Sequence, residues 1–124
     1  MDTDVVIDAL RHRPHSRPLL EAWAARGLPA VSAVTYLEVY QGLRPGEEDS
    51  TEVFLEGLAS IPLDAHIGRR AGLLLRDAKA HGLTVGIADA VVAATALMMG
   101  VPLLTNNVRH YPFPGLNVVK GAPG

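Results

Sequence analysis

Asp89 lies within Gly86-Ile-Ala-Asp-Ala-Val-Val-Ala-Ala, where a lone carboxylate is costly to bury without a partner. It reads as the N-cap of a helix, accepting bonds from the first free N–H groups. A carboxylate at a helix N-terminus can also bind a metal ion, so the two readings overlap. Glu38 closes Thr35-Tyr36-Leu37-Glu38, a match to the Thr-x-x-Glu capping box. Leu37 and Val39 flank it in a helix that must pack on the core, which would allow the acid to point inward beside Asp89. Asp2 and Asp4 bracket Thr3 just before an apolar segment. They form either an Asx turn that caps the next helix or a pair aimed into the crevice at the carboxyl end of a parallel strand, where ligands collect. Thr105 and Asn107 follow an apolar run on what should be the same edge, with an Asn turn as the plain alternative.

Carboxylates drawn together in a half-buried crevice repel and take up protons unless a cation neutralises them. Oxygen ligands select a hard ion, Mg²⁺ or Mn²⁺. Such an ion activates water and stabilises charge on a phosphodiester, which makes phosphoryl hydrolysis the natural reaction class. His12, His15, His66, His81 and His110 show no HxH or HExxH spacing, so they read as surface or capping residues rather than a zinc site. No GxxxxGK[ST], GxSxG or GxGxxG occurs, against a P-loop ATPase, an α/β-hydrolase or a dinucleotide-binding enzyme.

The elements that position these acids must come from one core. The 124 residues, 48% of them hydrophobic, suffice for a single domain spanning the whole chain. There is no cysteine, which removes disulfides and thiolate chemistry and is compatible with a cytoplasmic setting. The longest apolar stretch is far below the roughly 20 residues of a membrane span, and the acidic start is unlike a signal peptide. A formal charge of −2 means that nucleic acid is not coated by bulk electrostatics. Any such contact is local, and Arg11, His12, Arg13, His15 and Arg17 form the densest basic cluster.

Short apolar runs alternate with longer helical ones, which points to an α/β domain with a short, mainly parallel central sheet flanked by helices. Ser16 caps a helix that stops at Gly27, and a strand fits residues 29–32. A helix runs from Thr35 to Leu43 and another from Ser50 to Leu58. Ile61-Pro62-Leu63 fits an edge strand, since proline cannot donate to a central ladder. Asp64 opens a helix that ends at His81 and Gly82. Residues 87–99 are apolar nearly all round and form the central buried helix, stopped by Gly100. Residues 101–104 are a buried strand with Thr105-Asn106-Asn107 as its exit loop, and residues 116–119 are the last strand.

With these residues in place, the sequence resembles PIN-domain nucleases, and specifically the VapC-type toxins of bacterial toxin–antitoxin pairs, over nearly its full length. The resemblance rests on Asp2-Thr3-Asp4-Val-Val-Ile-Asp, Ser32-Ala-Val-Thr35-Tyr-Leu-Glu38 with Gly42 a turn later, Asp89-Ala-Val-Val-Ala-Ala-Thr-Ala-Leu and Pro102-Leu-Leu-Thr105-Asn-Asn107-Val-Arg-His110-Tyr. It implies that Asp2, Glu38 and Asp89 are acidic metal ligands, with Asp4 a weaker addition. Asn107 takes the place of a fourth residue often acidic in the family, and Thr105 orients the cluster. It further implies an RNA substrate, Mg²⁺ or Mn²⁺ as cofactor, a homodimer and a VapB-like antitoxin that blocks the site. Two departures stand out. Only Met1 precedes the first Asp, where the family has several apolar residues, so the central strand is expected to be cut short, with a start upstream or a sheet completed differently. Asn107 binds metal less strongly than a carboxylate and favours one firmly held ion over two.

Two other readings compete. Asp2-Thr3-Asp4 also fits the DxD pair of haloacid-dehalogenase-type phosphatases, although Lys79 and Lys120 lack a suitable strand-end setting for that chemistry. A degenerate PIN-like module that binds RNA or protein without cutting is the non-enzymatic alternative.

Overall fold

The structure is a computed structural model that describes residues 1–11 and 29–120. Helix α1 spans Thr3–Arg11, with Asp4 in its first turn and Arg11 in its last, each charge placed to complement the helix dipole. Its buried residues Val5, Val6 and Ala9 recur at helical spacing and turn one face inward. Strand β1 (Ala30–Ser32) leads directly into α2 (Ala33–Gln41). The cap of α2 is Ser32, whose hydroxyl oxygen accepts from the Val34 N–H. Thr35 is therefore a residue of the helix interior, and the capping box expected of Thr35 and Glu38 does not form.

Helix α3 (Glu48–Glu56) and strand β2 (Ala59–Ile61) follow, and Pro62 sits just beyond the strand where it interrupts no ladder. Asp64 caps α4 (Ala65–Ala80) by accepting from the Ile67 N–H at 2.9 Å. Helix α5 (Ile87–Met99) has the limits expected from its sequence, and Gly100 ends it at φ 67°, a left-handed conformation that favours glycine. Strand β3 (Leu103–Thr105) includes Thr105, which the sequence pattern assigns to the exit loop. A 3₁₀ turn over Val108–His110 precedes β4 (Val118–Lys120).

The strands form two parallel pairs, β1 with β2 and β3 with β4. The start of the chain lies between them. The Met1 nitrogen donates to the Ala30 carbonyl at 2.7 Å and the Asp2 N–H donates to the Leu104 carbonyl at 2.9 Å. Met1 and Asp2 thus bridge the two strand pairs with a bond to each, and Asp2 stands at the seam.

Helix α5 is the core of the molecule. Ala90, Ala93 and Ala94 are fully buried, and their small side chains let α4 pack close along it. Adding a leucine-sized side chain at Ala93 would overpack this contact at a cost of about 1–3 kcal/mol. One face of α5 meets Leu103, Tyr111 and Phe113, and another meets Ile67 and Ala71 of α4. A separate cluster of Val6, Val31, Val39 and Leu55 ties α1, β1, α2 and α3 together. Each fully buried valine of that cluster is worth about 2 kcal/mol against exposure. The helix expected between Ser16 and Gly27, and the basic cluster apart from Arg11, lie outside the described residues. Arg11 itself pairs with Glu47 at 3.8 Å and donates to the Gly42 carbonyl.

Candidate active site

Asp2 is buried, and both of its carboxylate oxygens are held. Oδ1 accepts from the Thr3 N–H at 2.7 Å and Oδ2 accepts from the Thr105 hydroxyl at 2.9 Å. Because Asp2 ends the stub between β1 and β3, and Thr105 ends β3, the sheet itself brings them side by side. Thr105 is fully buried, and its oxygen also accepts from the Asn107 N–H at 3.0 Å. The strand exit is thereby locked to the first acid of the chain.

Glu38 reaches the same place from α2. Its Oε1 accepts from the Thr3 hydroxyl at 2.6 Å, a short charge-assisted bond, and the Thr3 hydroxyl also lies 3.2 Å from that of Thr35. Since the carboxylate does not cap its own helix, it is available to the crevice. Thr35 keeps a role that the capping reading misses, as a fully buried neighbour of Thr3.

Asp4 faces a cleft of about 370 Å³ whose walls include Asp8, Arg11, Asn106 and Asn107. The Asn107 side-chain nitrogen donates to Asp4 Oδ2, while Asp4 Oδ1 is a buried oxygen with no hydrogen-bond partner of good geometry. Burial first, and then the charge of Asp2, push the Asp4 carboxyl up to about 6; nearby N–H groups of Asn106 and Val5 oppose the shift.

Asp89 occupies the first turn of α5, three residues past the cap, which is Gly86. It does not serve as that helix's N-cap, as the plainest reading of its sequence has it. A Cβ at position 86 would stand 3.5 Å from Asp89 Oδ2, ordinary van der Waals contact, so the cap residue and the carboxylate are close neighbours. Two consecutive residues attend it: the Tyr111 hydroxyl lies 3.3 Å from Oδ1 and His110 Nδ1 lies 3.6 Å from Oδ2. Burial raises the Asp89 pKa, the charges of Asp2 and Glu38 raise it further, and His110 and Tyr111 pull it back. The phenol of Tyr111 is raised in turn by burial and by Asp2, Asp89 and Asp4, which keeps it a protonated donor.

Sequence reasoning does not single out Tyr111 and His110 as site residues. The available signal is their position just beyond Thr105 and Asn107, on the same expected edge, but an aromatic residue reads first as core. His110 is half exposed and remains a surface histidine, as expected, while also bordering the site.

The donors suit a hard cation: they are oxygens, they repel one another, and one of them is orphaned. Among the described residues, however, no three acidic or histidine side chains converge closely enough to enclose an ion. That fits Mg²⁺ better than a fully caged metal, since Mg²⁺ keeps several waters and takes one or two protein carboxylates. The DxD phosphatase reading finds no support in this arrangement. Asp2 and Asp4 straddle the start of a helix, and Lys79 is exposed on α4.

Residues 1–115 match the PIN domain family. The chain is 32% identical over 118 residues to the ribonuclease VapC19 of Mycobacterium tuberculosis, covering 94% of each chain. It is 32% identical over 125 residues to VapC10 of the same organism, covering 100% of this chain and 94% of that one. The crystal structure of VapBC2 from Rickettsia felis, bound to a DNA fragment from their promoter, superposes with a TM-score of 0.86 at 26% identity, covering 96% of this chain and 95% of that one. Fold and relatives agree that this chain belongs to the PIN-domain family, among relatives that are VapC ribonucleases.

Proposed function

We propose that this protein is a Mg²⁺- or Mn²⁺-dependent endoribonuclease and the toxin of a type II toxin–antitoxin pair. The observation that carries the reading is that Thr3 bonds both Asp2, at 2.7 Å, and Glu38, at 2.6 Å, so acids from two distant parts of the chain meet, with Asp89 near enough to feel the charge of both. One or two of Asp2, Glu38 and Asp89 would bind the metal directly and the rest through its waters, with Asp4 and Asn107 beside them. The bound ion would supply Lewis-acid stabilisation of the phosphodiester and a more acidic water.

The chain's own residues do the positioning. Thr105 and the Thr3 N–H fix Asp2, the Thr3 hydroxyl fixes Glu38, and Asn107 turns its amide to Asp4. The cleft beside Asp4 gives a single RNA strand room to approach. Because no base-reading element is needed to place a phosphate there, RNA shape and loop contacts would set specificity.

The ribonuclease names of the curated relatives support an RNA substrate, and the VapBC complexes among the solved relatives support a VapB-like antitoxin. A homodimer and a cytoplasmic setting extend the same likeness. Among the described residues no helix is long and apolar enough to cross a membrane. The family match to residues 1–115 supports one nuclease domain over residues 1–124.

Purified protein incubated with a panel of RNAs should cleave with Mn²⁺ or Mg²⁺ and stop with a chelator, and Asp89→Asn should be inactive. Absence of cleavage across varied RNAs, or equal cleavage by the variant, counts against the proposal. A non-cutting PIN module is the second reading, favoured by the lack of a closed carboxylate cage among the described residues. Tight RNA binding without metal uptake would establish it instead.

A further inference from the structure

Tyr111 is an unusual choice for its place in the core. Its ring is buried in a cluster with Ala78, Val92, Ala93, Ala96, Leu103 and Phe113. Two residues later, Phe113 fills the same cluster with no hydroxyl. Packing alone would be served as well by phenylalanine at position 111, and a buried phenol without a partner costs free energy. The hydroxyl has partners: it is aimed out of the core at Asp89 Oδ1, 3.3 Å away, and Asp2 also lies within its hydrogen-bonding reach.

We propose that Tyr111 is a positioning residue for metal binding, a donor on a rigid mount that fixes one oxygen of Asp89 so that the other is presented to the ion. The inference rests on the nuclease reading above. At 3.3 Å the contact is long for an O–H···O bond, so its value lies in placement more than in bond strength. The placement is rigid because the ring is enclosed on the α5 side and the β3 side, leaving the hydroxyl little freedom to follow a rotating carboxylate. Without the donor at Oδ1, the carboxylate would keep only its neighbours at Oδ2 to limit its rotation. His110 stands near Oδ2 but is half exposed and less firmly held. Hydrogen bonds that orient metal-ligating side chains typically account for roughly 10- to 100-fold in metal affinity or activity.

Tyr111→Phe keeps the ring and deletes only the hydroxyl. Mn²⁺ binding is measured calorimetrically on wild type and variant, beside RNA cleavage and the melting temperature in chelator. The expected result is an unchanged melting temperature within a few degrees, with Mn²⁺ affinity about 10-fold or more weaker and cleavage reduced but partly restored by excess Mn²⁺. Equal or tighter Mn²⁺ binding by the variant overturns the inference while leaving the nuclease reading intact. If the wild-type protein takes up no Mn²⁺, both fall. Should the variant melt much lower, Tyr111→Phe is compared with Phe113→Leu, a packing change with no hydroxyl to lose. An equal loss of Mn²⁺ affinity in both would make the effect one of packing and overturn the inference.

Discussion

Thr105 and Asp2 are 103 residues apart in sequence, and the hydroxyl of one is bonded to the carboxylate of the other at 2.9 Å inside the protein. This bond joins the end of β3 to the start of α1, and through the Thr105 oxygen it also holds the Asn107 N–H.

Replacing Thr105 by valine keeps the volume and leaves an acid oxygen and an N–H without their partner. Stability should fall by about 2–3 kcal/mol in urea unfolding, and cleavage should be lost with it. Thr105→Ser keeps the hydroxyl and removes one buried methyl, so it should lose only about 1 kcal/mol and retain activity. Equal stability of the two variants would show that the hydroxyl bond is not what joins these elements.

Thr3→Val separates Glu38 from its short bond. The expected outcome is a loss of about 1–2 kcal/mol in stability, because a bond to a charged group is removed, and a fall in cleavage of about 10-fold or more. Thr3→Ser should behave much like wild type in both measurements. The comparison separates positioning of Glu38 from simple packing.

Asp4 sets a pH dependence whose sign follows from its raised folded-state pKa of about 6 against an ordinary value of 3.8. The folded protein holds this proton more tightly than the unfolded chain. The stabilising effect of protonation is therefore complete below the ordinary value, and it disappears as pH rises through about 6. In chelator, Asp4→Asn should melt above wild type at about pH 7.5, and the gap should shrink as pH falls from about 6 towards about 4. Added Mg²⁺ should narrow the gap at neutral pH by neutralising the carboxylates. A gap that widens with acid would mean that Asp4 is stabilised as the charged form.

Gly100 has φ 67°, and a Cβ added there meets no atom within 4 Å, so only the backbone conformation resists substitution. Gly100→Ala should cost about 1–2 kcal/mol, read as a lower melting temperature with unchanged cleavage. A loss of activity at equal stability would mean that the end of α5 communicates with the site.

The sequence alone determined the parts whose signals are local. Helix α5 is legible to its ends because its apolar run is bounded by Gly86 and Gly100, and Asp64 announces the start of α4. Asp89 is legible as an anomaly, a charge in an apolar helix. Asp2, Glu38, Thr105 and Asn107 are legible as members of a family pattern, while their contacts are not. Local pattern misleads at Glu38: Thr35-x-x-Glu38 is a valid capping box in isolation, but β1 runs directly into α2, so the helix starts earlier and Ser32 takes the cap. Only the tertiary structure decided that the freed carboxylate meets Thr3, that Thr105 meets Asp2, and that Tyr111 meets Asp89. Those contacts depend on which strand ends lie side by side, and no spacing along one segment carries that information. Asp2 and Glu38 therefore come together only where Met1 and Asp2 are held between β1 and β3.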